Sequence, residues 1–532
     1  MTEPTTFPVR VLGEAGEAWA QLACILEGLL PVKFARSGEG ASEAAAEIIL
    51  GAPAGMNSPA RGIPRLYVPM RGRGTTNGGL TEIQVMFADE SEVPFPFRGR
   101  TIQTKVSTEP NVLTLGAQER ALANTASGPV WAVSVEAGVK QFKSGLPLPE
   151  MPPGGNLSDV LNGGHFFEAL PFVHWLREVC AGACFDSPPL RACFIFDDPN
   201  LHWPRYGFVD FQEIATHAAR ENYHVAFATV PLDGWFAHQP TTEIFRTQSA
   251  RLSLAVHGND HTKHELARNY TPAQRVSLLR QADQRIARLE RRTGLEVCRV
   301  MVPPHGACSD EMLASLPACG FEGACISHGS LRAHNKTKPW TKSLGFLQAE
   351  LIRGCPVLPR WGMSGDLTNT ILLAAFLNQA IILRGHHRDL KDGVGLLDQW
   401  AQLINSLGAV SWLNLSSLSR MNYQSRLEGT ICRIRPLAPR VTFPVPRAAT
   451  HLLVEGPRDG SWPDWQVSRA EGAPVVVSAG KPLPCGHKAG EQVSIRAVAD
   501  QTARGDEFSP GTPVAAFIRR LATEGRDRLL SF

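Results

Sequence analysis

The sequence lacks a long hydrophobic run and a basic tract, and it has almost no net charge. Its 53 lysine and arginine residues nearly balance 50 acidic residues, which leaves a formal charge of +3. Without a lysine-rich tract interleaved with aromatic residues, nothing indicates a nucleic-acid-binding surface. Because no stretch of about 18 apolar residues occurs, we expect no membrane-spanning helix.

Features of secretion are also missing. The N-terminus, Met1 to Pro8, has neither the basic start nor the apolar core of a signal peptide. The 11 cysteines are scattered and odd in number, which fits a reducing compartment better than an oxidising one. Several lie in apolar segments, as Cys193 and Cys325 do, where a free thiol acts as a small hydrophobic residue. We therefore expect a cytoplasmic protein.

The remaining composition is that of an ordinary globular chain. The 532 residues are 43% apolar and 19% charged, and this length predicts two to four domains. Residues 1–150 predict a mixed α/β domain of unknown role. In residues 151–425 strand and helix patterns alternate, which favours parallel βα units. Residues 426–532 predict a small β-sandwich-like domain followed by a final helix.

The clearest helix signal spans Thr271 to Thr293. Thr271 is a suitable N-cap, Pro272 suits the first helical position, and Gln274 completes a capping box. Gly294 follows as the C-terminal stop. Other predicted helices and strands of this region are Phe166–Cys180, Phe208–Asn222 and Leu396–Leu407 as helices, and His224–Pro231, Phe321–Ser327 and Ser411–Leu415 as strands.

The two flanking regions contain short apolar runs. In the C-terminal region, Trp462 and Trp465 lie close together, and we favour core packing over stacking on a sugar ring for this pair. The runs that predict strands in the N-terminal region are Glu47–Leu50, Leu66–Met70, Ile83–Phe87, Val112–Leu115 and Val130–Val135.

One apolar run ends in two adjacent carboxylates. Cys193 to Phe196 is followed by Asp197, Asp198 and Pro199, which predicts a buried strand that stops at the proline. Since successive side chains of a strand point to opposite sides, one carboxylate can hold a metal while the other stays free as a base. The alternative is a polar strand end at which Asp198 begins a turn.

A second run ends in two histidines. Leu252 to Val256 is followed by His257 and His261, four residues apart. On a helical turn or in a compact loop, this spacing allows both imidazoles to face one ion. Together with Asp198, they would form a ligand set suited to Zn²⁺ or another divalent transition metal, with positions open for water.

A third run, Val297 to Val302, ends in a rigid turn formed by Pro303, Pro304, His305 and Gly306. Such a turn can present backbone N–H groups, including that of His305, to a developing oxyanion.

The order Asp-Asp-Pro, His-x-x-x-His, Pro-Pro-x-Gly resembles the polysaccharide deacetylase superfamily, which has the NodB-homology fold, over about residues 186–425. The resemblance implies an α/β fold with a distorted (β/α) barrel. It also implies that Asp197 is the catalytic base and that Asp198, His257 and His261 hold the metal.

The same resemblance implies a general acid from a late strand. The best match is the run that ends in His386 and His387, of which we favour His386. In that family an arginine usually pairs with the base, but this sequence has Val302 at that position. Arg299 and Arg360 are the candidate replacements. The aspartate that polarises the acid also has no clean equivalent, and Asp366 is a loose candidate, so the chain resembles a divergent branch.

The implied function is a metal-dependent hydrolase that removes acetyl groups from an N-acetylated sugar or polysaccharide precursor. Two alternatives remain at this point: a hydrolase of another small C–N substrate, and a carbohydrate-binding pseudoenzyme, which Val302 favours. The sequence names neither the sugar nor the oligomeric state.

Overall fold

The computed structural model describes residues 6–13, 17–36, 44–51, 62–70, 79–152, 154–338, 340–457, 462–469, 472–484, 490–498 and 514–529. The chain divides into two compact units. The first contains Met1–Phe185, Pro339–Leu347 and Asp366–Leu377. The second contains Asp186–Lys338, Gln348–Gly365 and Asn378–Phe532. The division predicted from sequence, with boundaries near residues 150 and 425, stays a prediction.

Helices occur in both units. Among the helices of the described residues, none is both long enough and apolar enough to cross a lipid bilayer. Their bounds are α1 Glu17–Glu27, α2 Leu170–Val179, α3 Phe211–Glu221, α4 Gln239–Thr247, α5 Pro272–Thr293, α6 Asp310–Ser315, α7 His328–His334, α8 Thr368–Phe376, α9 Gly395–Asn405, α10 Leu415–Arg420 and α11 Val514–Leu529.

The first unit is built on one mixed sheet of nine strands, in the order β2-β1-β3-β4-β9-β8-β7-β5-β6. The half from β2 to β9 is parallel and the half from β9 to β6 is antiparallel. This confirms a mixed α/β character. The strands are β1 Phe7–Leu12, β2 Val32–Arg36, β3 Ala46–Leu50, β4 Arg65–Val68, β5 Thr81–Phe87, β6 Thr101–Val106, β7 Glu119–Thr125, β8 Gly128–Glu136 and β9 Val139–Ser144.

The second unit contains a larger sheet, ordered β17-β18-β16-β15-β14-β13-β10-β20-β19, with β21 paired beside β10. A separate pair, β11 and β12, forms a short hairpin. The strands are β10 Arg191–Asp197, β11 Arg205–Tyr206, β12 Val209–Asp210, β13 Val225–Thr229, β14 Leu252–Val256, β15 Val297–Met301, β16 Gly323–Cys325, β17 Glu350–Ile352, β18 Cys355–Leu358, β19 Trp361–Gly362, β20 Ile381–Gly385 and β21 Ser411–Trp412.

Apart from β17, which is antiparallel to β18, the strands of this larger sheet pair in parallel. All seven residues of β10 are buried, as expected for a parallel strand covered on both faces. The sheet curls into a half barrel, and its strand order ends at β17 and β19 among the described residues. The predicted parallel βα organisation is therefore present, whereas a closed barrel is not seen in the described strands.

The rest of the second unit contains two four-stranded sheets, ordered β22-β23-β25-β28 and β24-β29-β26-β27. Buried residues of both sheets share one core, as in a sandwich. Trp462 and Trp465 belong to this core, with ring centroids 5.5 Å apart, so core packing is confirmed for this pair. The strands are β22 Tyr423–Glu428, β23 Ile431–Pro436, β24 Arg440–Pro444, β25 His451–Val454, β26 Asp464–Ser468, β27 Val475–Ser478, β28 Pro482–Pro484 and β29 Gln492–Ala497.

Local contacts explain where two of the predicted strands differ from the structure. Val112–Leu115 forms no ladder and makes one backbone bond, from Leu113 N to Pro129 O, at 2.7 Å. The strand predicted over Ser411–Leu415 ends at Trp412. The Asn414 side chain accepts a hydrogen bond from Ser417 N at 2.8 Å and thereby begins α10.

Helix α5 has the ends that its sequence predicts. The Gln274 backbone N–H donates to the Thr271 hydroxyl at 3.3 Å, and the Thr271 backbone N–H donates to Gln274 Oε1 at 2.9 Å. Gly294 closes the helix with a φ of 71°, which favours glycine. Both hydrogen bonds satisfy N–H groups that the first helical turn leaves without partners.

We expect Thr271→Ala to destabilise the protein by about 1 kcal/mol, because it removes the cap acceptor. The measurement is the midpoint of thermal unfolding. Thr271→Ser, which keeps a hydroxyl at the cap, is the matched control and should remain close to wild type. Equal midpoints for the alanine and serine variants would contradict this assignment.

Candidate active site

The site residues predicted from sequence lie at the carboxyl edge of the large parallel sheet. Strand β10 ends at Asp197, and β14 ends one residue before His257. Strand β15 ends shortly before the Pro303–Gly306 turn, and β20 ends one residue before His386. Because parallel strands place their carboxyl ends on one edge, four separate sequence motifs meet there.

Asp198, His257 and His261 come together at this edge. One possible ligand atom from each lies within 4.8 Å of those from the other two. His261 Nε2 is 3.1 Å from Asp198 Oδ1, and His257 Nε2 is 3.8 Å from the same oxygen. Two imidazole nitrogens and one carboxylate that converge in this way form a ligand set suited to a divalent transition metal.

The tautomer of His257 suits metal binding. Its Nδ1 lies 2.9 Å from the backbone oxygen of Val302, and a carbonyl oxygen can only accept, so Nδ1 carries the proton. The lone pair is then on Nε2, the atom near Asp198. Burial lowers the pKa of His257 to about 4, so the ring is neutral at physiological pH. A second hydrogen bond of this kind orients metal-ligating histidines in proteins.

A buried glutamate holds the loop between the two histidines. Glu265 accepts hydrogen bonds from the backbone N–H groups of Asn259, at 2.7 Å, and Asp260, at 3.0 Å. Gly258 has a φ of 64°, and a Cβ added there would lie 1.9 Å from Glu265 Oε1. The His257–His261 spacing is therefore set by a compact loop around one carboxylate.

Asp197 is paired with Arg360. An arginine therefore contacts this carboxylate even though position 302 is occupied by Val302. Arg360 Nη1 donates to Asp197 Oδ1 at 2.7 Å, and both side chains are buried. Burial raises the pKa of Asp197, but the charge of Arg360 and its hydrogen bond outweigh this effect and hold the pKa below its usual value. The other candidate, Arg299, instead pairs with acidic residues of α5, Asp283 and Glu290.

Three residues of the site have unusual backbone conformations. Asp198, His261 and His305 have positive φ values of 84°, 54° and 58°. Such values are uncommon outside glycine, and they concentrate where the surrounding structure imposes a particular side-chain position. The backbone N–H of His305 donates to no acceptor among the described residues. It is therefore available to a ligand, as the Pro-Pro turn predicts.

Helix α11 contributes a side of the site that sequence reasoning missed. Arg520, which is buried, lies 3.3 Å from Asp198 Oδ1 and also pairs with the buried carboxylate of Asp233. Arg519 donates to the backbone oxygen of His261. The final helix was predicted, and its described part is Val514–Leu529, but the sequence does not show where that helix packs.

The same helix packs through polar contacts along one face. Glu524 Oε2 lies 2.9 Å from His202 Nδ1, and Asp527 Oδ2 accepts from the Tyr206 hydroxyl at 3.3 Å. Arg520, Glu524 and Asp527 are all buried, and they are spaced i, i+4, i+7. That spacing is the only signal in the sequence that could have indicated a charged, buried helix face.

The two candidate acids, His386 and His387, have different surroundings. Nη1 of Arg384 lies 3.3 Å from both ring nitrogens of His386. His387 Nε2 is 3.6 Å from Asp527 Oδ2. Asp366, the loose candidate for the polarising carboxylate, belongs to the first unit and accepts a hydrogen bond from Thr368 N, at the start of α8, at 2.8 Å.

A cleft of about 330 Å³ lies at this site, and the buried side chains of Asp197 and His257 do not line it. Its lining includes five of the site residues predicted from sequence, together with residues of α11. The five are Asp198, His261, His305, His386 and His387.

No protein-family model matches the sequence, and no curated protein matches it. Among solved structures, the chain is similar to Agd3, described as a novel carbohydrate deacetylase, at 10% identity and a TM-score of 0.48, over 93% of this chain and 99% of that one. It is also similar to a family 4 carbohydrate esterase from Streptomyces lividans, at 12% identity and a TM-score of 0.27, over 42% and 93% of the two chains.

A third similar structure is a CE4 family pseudoenzyme from Bacillus anthracis, at 10% identity and a TM-score of 0.27, over 44% and 66% of the two chains. The matches thus include carbohydrate deacetylases and a pseudoenzyme, all at low identity. Because the three TM-scores lie below 0.5, the function proposed below rests on the residues of the site.

We expect Arg360→Met to destabilise the protein by about 3–5 kcal/mol at neutral pH, because it leaves a buried carboxylate without its partner. In wild type the pKa of Asp197 is lowered, so the pair contributes stability above the unfolded pKa and loses it as pH falls through the folded pKa. Without Arg360 that pKa rises, so the deficit should shrink towards pH 4. Thermal unfolding from pH 4 to pH 8 measures this.

Arg299→Met is the matched control for this experiment, since Arg299 pairs with other carboxylates. It should show a smaller loss and a weaker pH dependence, because the side chains of Asp283 and Glu290 are more exposed than that of Asp197. A double variant, Arg360→Met with Asp197→Asn, should recover part of the loss, because the uncompensated charge is gone. An Arg360→Met variant as stable as wild type at pH 8 would refute the role assigned to the pair.

Proposed function

We propose that this protein is a metal-dependent hydrolase that removes acetyl groups from an N-acetylated sugar. The observation that carries the proposal is the convergence of Asp198, His257 and His261 beside a separate, arginine-paired carboxylate, Asp197. A ligand triad next to a free base is the combination that metal-assisted amide hydrolysis requires. These four residues lie together at one edge of the parallel sheet.

The residues present fit a metal ion. Asp198 Oδ1, His257 Nε2 and His261 Nε2 would hold it, and the proton on His257 Nδ1 keeps Nε2 available. Nitrogen and oxygen donors of this kind suit Zn²⁺ or another divalent transition metal. When bound, such an ion supplies Lewis-acid chemistry, which polarises an acyl carbonyl and lowers the pKa of water.

Asp197 is the proposed general base. Its Oδ1 is held by Arg360 at 2.7 Å, which fixes the orientation of the carboxylate that would take a proton from water. The lowered pKa keeps Asp197 ionised at neutral pH. Arg360 also removes the main argument for an inactive protein, which was the absence of an arginine at position 302.

A histidine is the proposed general acid that protonates the departing amine. His387 is our first candidate, although sequence reasoning favoured His386. His387 Nε2 lies 3.6 Å from Asp527 Oδ2, a carboxylate that can orient the ring, and although burial lowers the pKa of His387, the charge of Asp527 partly offsets this effect. The ring of His387 is also stacked on Phe208, with centroids 5.9 Å apart, which restricts its orientation.

The oxyanion that develops on the acetyl carbonyl needs a hydrogen-bond donor. We assign this role to the backbone N–H of His305, which donates to no acceptor among the described residues. Pro303 and Pro304 limit the movement of this turn, so the donor is positioned before the substrate binds.

A carbohydrate-binding pseudoenzyme is the second candidate, and one contact favours it. Arg520 lies 3.3 Å from Asp198 Oδ1, the oxygen that the metal would need. An arginine held there partly neutralises the ligand. Metal analysis therefore separates the two candidates before any substrate is known.

We expect the protein to bind about one divalent metal ion per chain, with Zn²⁺ the first ion to test. His257→Ala and His261→Ala should each reduce the bound metal to near zero, because each removes a ligand. Elemental analysis after dialysis measures the ratio. His264→Ala removes an exposed histidine of the same loop and should keep the metal. Full occupancy in the His257→Ala and His261→Ala variants would disprove the ligand assignment.

A turnover assay should distinguish the roles of the two carboxylates. We expect Asp197→Asn to keep the metal but reduce the release of acetate from N-acetylglucosamine oligomers by about 10²–10⁴-fold, since a general base is lost. Asp198→Asn should lose metal and activity together. If wild type loaded with metal binds the oligomers without releasing acetate, the pseudoenzyme replaces the hydrolase.

A further inference from the structure

The cleft has an excess of positive charge that deacetylation of a neutral sugar does not require. Two carboxylates line it, and four arginines line it with them. The carboxylates are Asp198 and Asp527, and the arginines are Arg388, Arg519, Arg520 and Arg526.

Each of the two carboxylates already has an arginine partner. Arg520 Nη1 lies 3.3 Å from Asp198 Oδ1, and Arg526 Nη2 lies 2.7 Å from Asp527 Oδ1. A metal held by Asp198 would add further positive charge. The charges of the cleft are therefore not balanced by its own acidic residues.

Arg388 and Arg519 remain without a carboxylate partner among the described residues. Arg519 donates to the backbone oxygen of His261, which anchors its guanidinium at the loop of the metal-binding histidines. Arg388 is exposed and directly follows His387 in the turn after β20. The two arginines thus come from different elements and line the same cleft.

We propose that the substrate is an N-acetylated sugar that also carries an anionic group, either a carboxylate or a phosphate, which Arg388 and Arg519 bind. This inference rests on the proposed function and specifies its substrate class. The planar guanidinium donates two parallel hydrogen bonds to either anion, and such charge-assisted bonds are among the strongest in proteins. The Thr523 hydroxyl, which also lines the cleft, is a further donor.

The size of the cleft agrees with this substrate class. About 330 Å³ is near the lower end for small-molecule sites, and it suits one sugar unit with its substituents. Besides the histidines, five of the lining groups can donate to an anion without a metal: the four arginines and Thr523. A neutral sugar would leave the guanidinium groups of Arg388 and Arg519 without a counter-charge.

The test compares three probes: N-acetylglucosamine, N-acetylglucosamine 1-phosphate and N-acetylmuramic acid, which are neutral, phosphorylated and carboxylated. The measured quantity is kcat/KM for acetate release from each anionic probe divided by that for the neutral one. We expect this ratio to exceed about tenfold for at least one anion in wild type and to fall about tenfold in Arg388→Gln and in Arg519→Gln. The preferred anion shows whether a carboxylate or a phosphate is recognised.

Arg291→Gln removes an exposed arginine of α5 that does not line the cleft, and it should leave the ratio unchanged. Since Arg388 and Arg519 lie on different elements, a packing defect in α11 cannot explain a fall in both variants. High salt should also lower the wild-type ratio, because it screens the guanidinium charges. A ratio near one in wild type, or a ratio that neither variant changes, would overturn the inference while leaving the deacetylase proposal intact.

If no probe releases acetate, the proposed function fails, and binding decides the substrate class separately. Calorimetry of the metal-loaded protein should then show tighter binding of an anionic probe than of N-acetylglucosamine, with the difference lost in the Arg388→Gln, Arg519→Gln double variant. Equal affinities for the charged and neutral probes would reject the anion site.

Discussion

Two neighbouring carboxylates, Asp197 and Asp198, each require a counter-charge, and the structure of the second unit depends on supplying both. Asp197 is the last residue of a fully buried strand and Asp198 follows it, and a buried carboxylate without a counter-charge is strongly destabilising. Each has its own arginine, Arg360 for the first and Arg520 for the second. The two arginines come from different elements, so two distant parts of the chain must dock at the end of β10.

Because each carboxylate has its own arginine, Asp197 and Asp198 suit different chemical roles. Arg360 keeps Asp197 ionised and oriented, which suits a base. Asp198 has two histidines as further neighbours, which suits a ligand. Adjacent residues at one strand end can thus have different roles, because each contacts different side chains.

Local signals predicted much of the fold. The capping box of α5 and the burial of β10 follow from residues next to one another, and both appear as expected. The failures occurred where competing local contacts decide the backbone. Val112–Leu115 has the composition of a strand but joins no ladder, and the Asn414 cap replaces the end of a predicted strand by a helix. The curvature of the sheet depends on packing that no single segment shows.

For the site, the sequence indicated the residues that stand in motifs but not their partners. Asp198, His257 and His261 were predicted as one group, and the structure brings them together. Arg360 was one of two possible partners for Asp197, and only tertiary packing distinguishes it from Arg299. The polar face of α11 has only the spacing of its charged residues as a signal, because the carboxylates and histidines that these charges contact come from distant parts of the chain.

The contact between Arg520 and Asp198 has a consequence for the time at which the site forms. These residues are 322 positions apart in the chain. At a synthesis rate of about 5–20 residues per second, Arg520 is added roughly 15–65 s after Asp198. During that interval the nascent chain has the end of β10 without one of its counter-charges. His257 and His261, the other neighbours of Asp198, are added long before Arg520, so they are available to this carboxylate first.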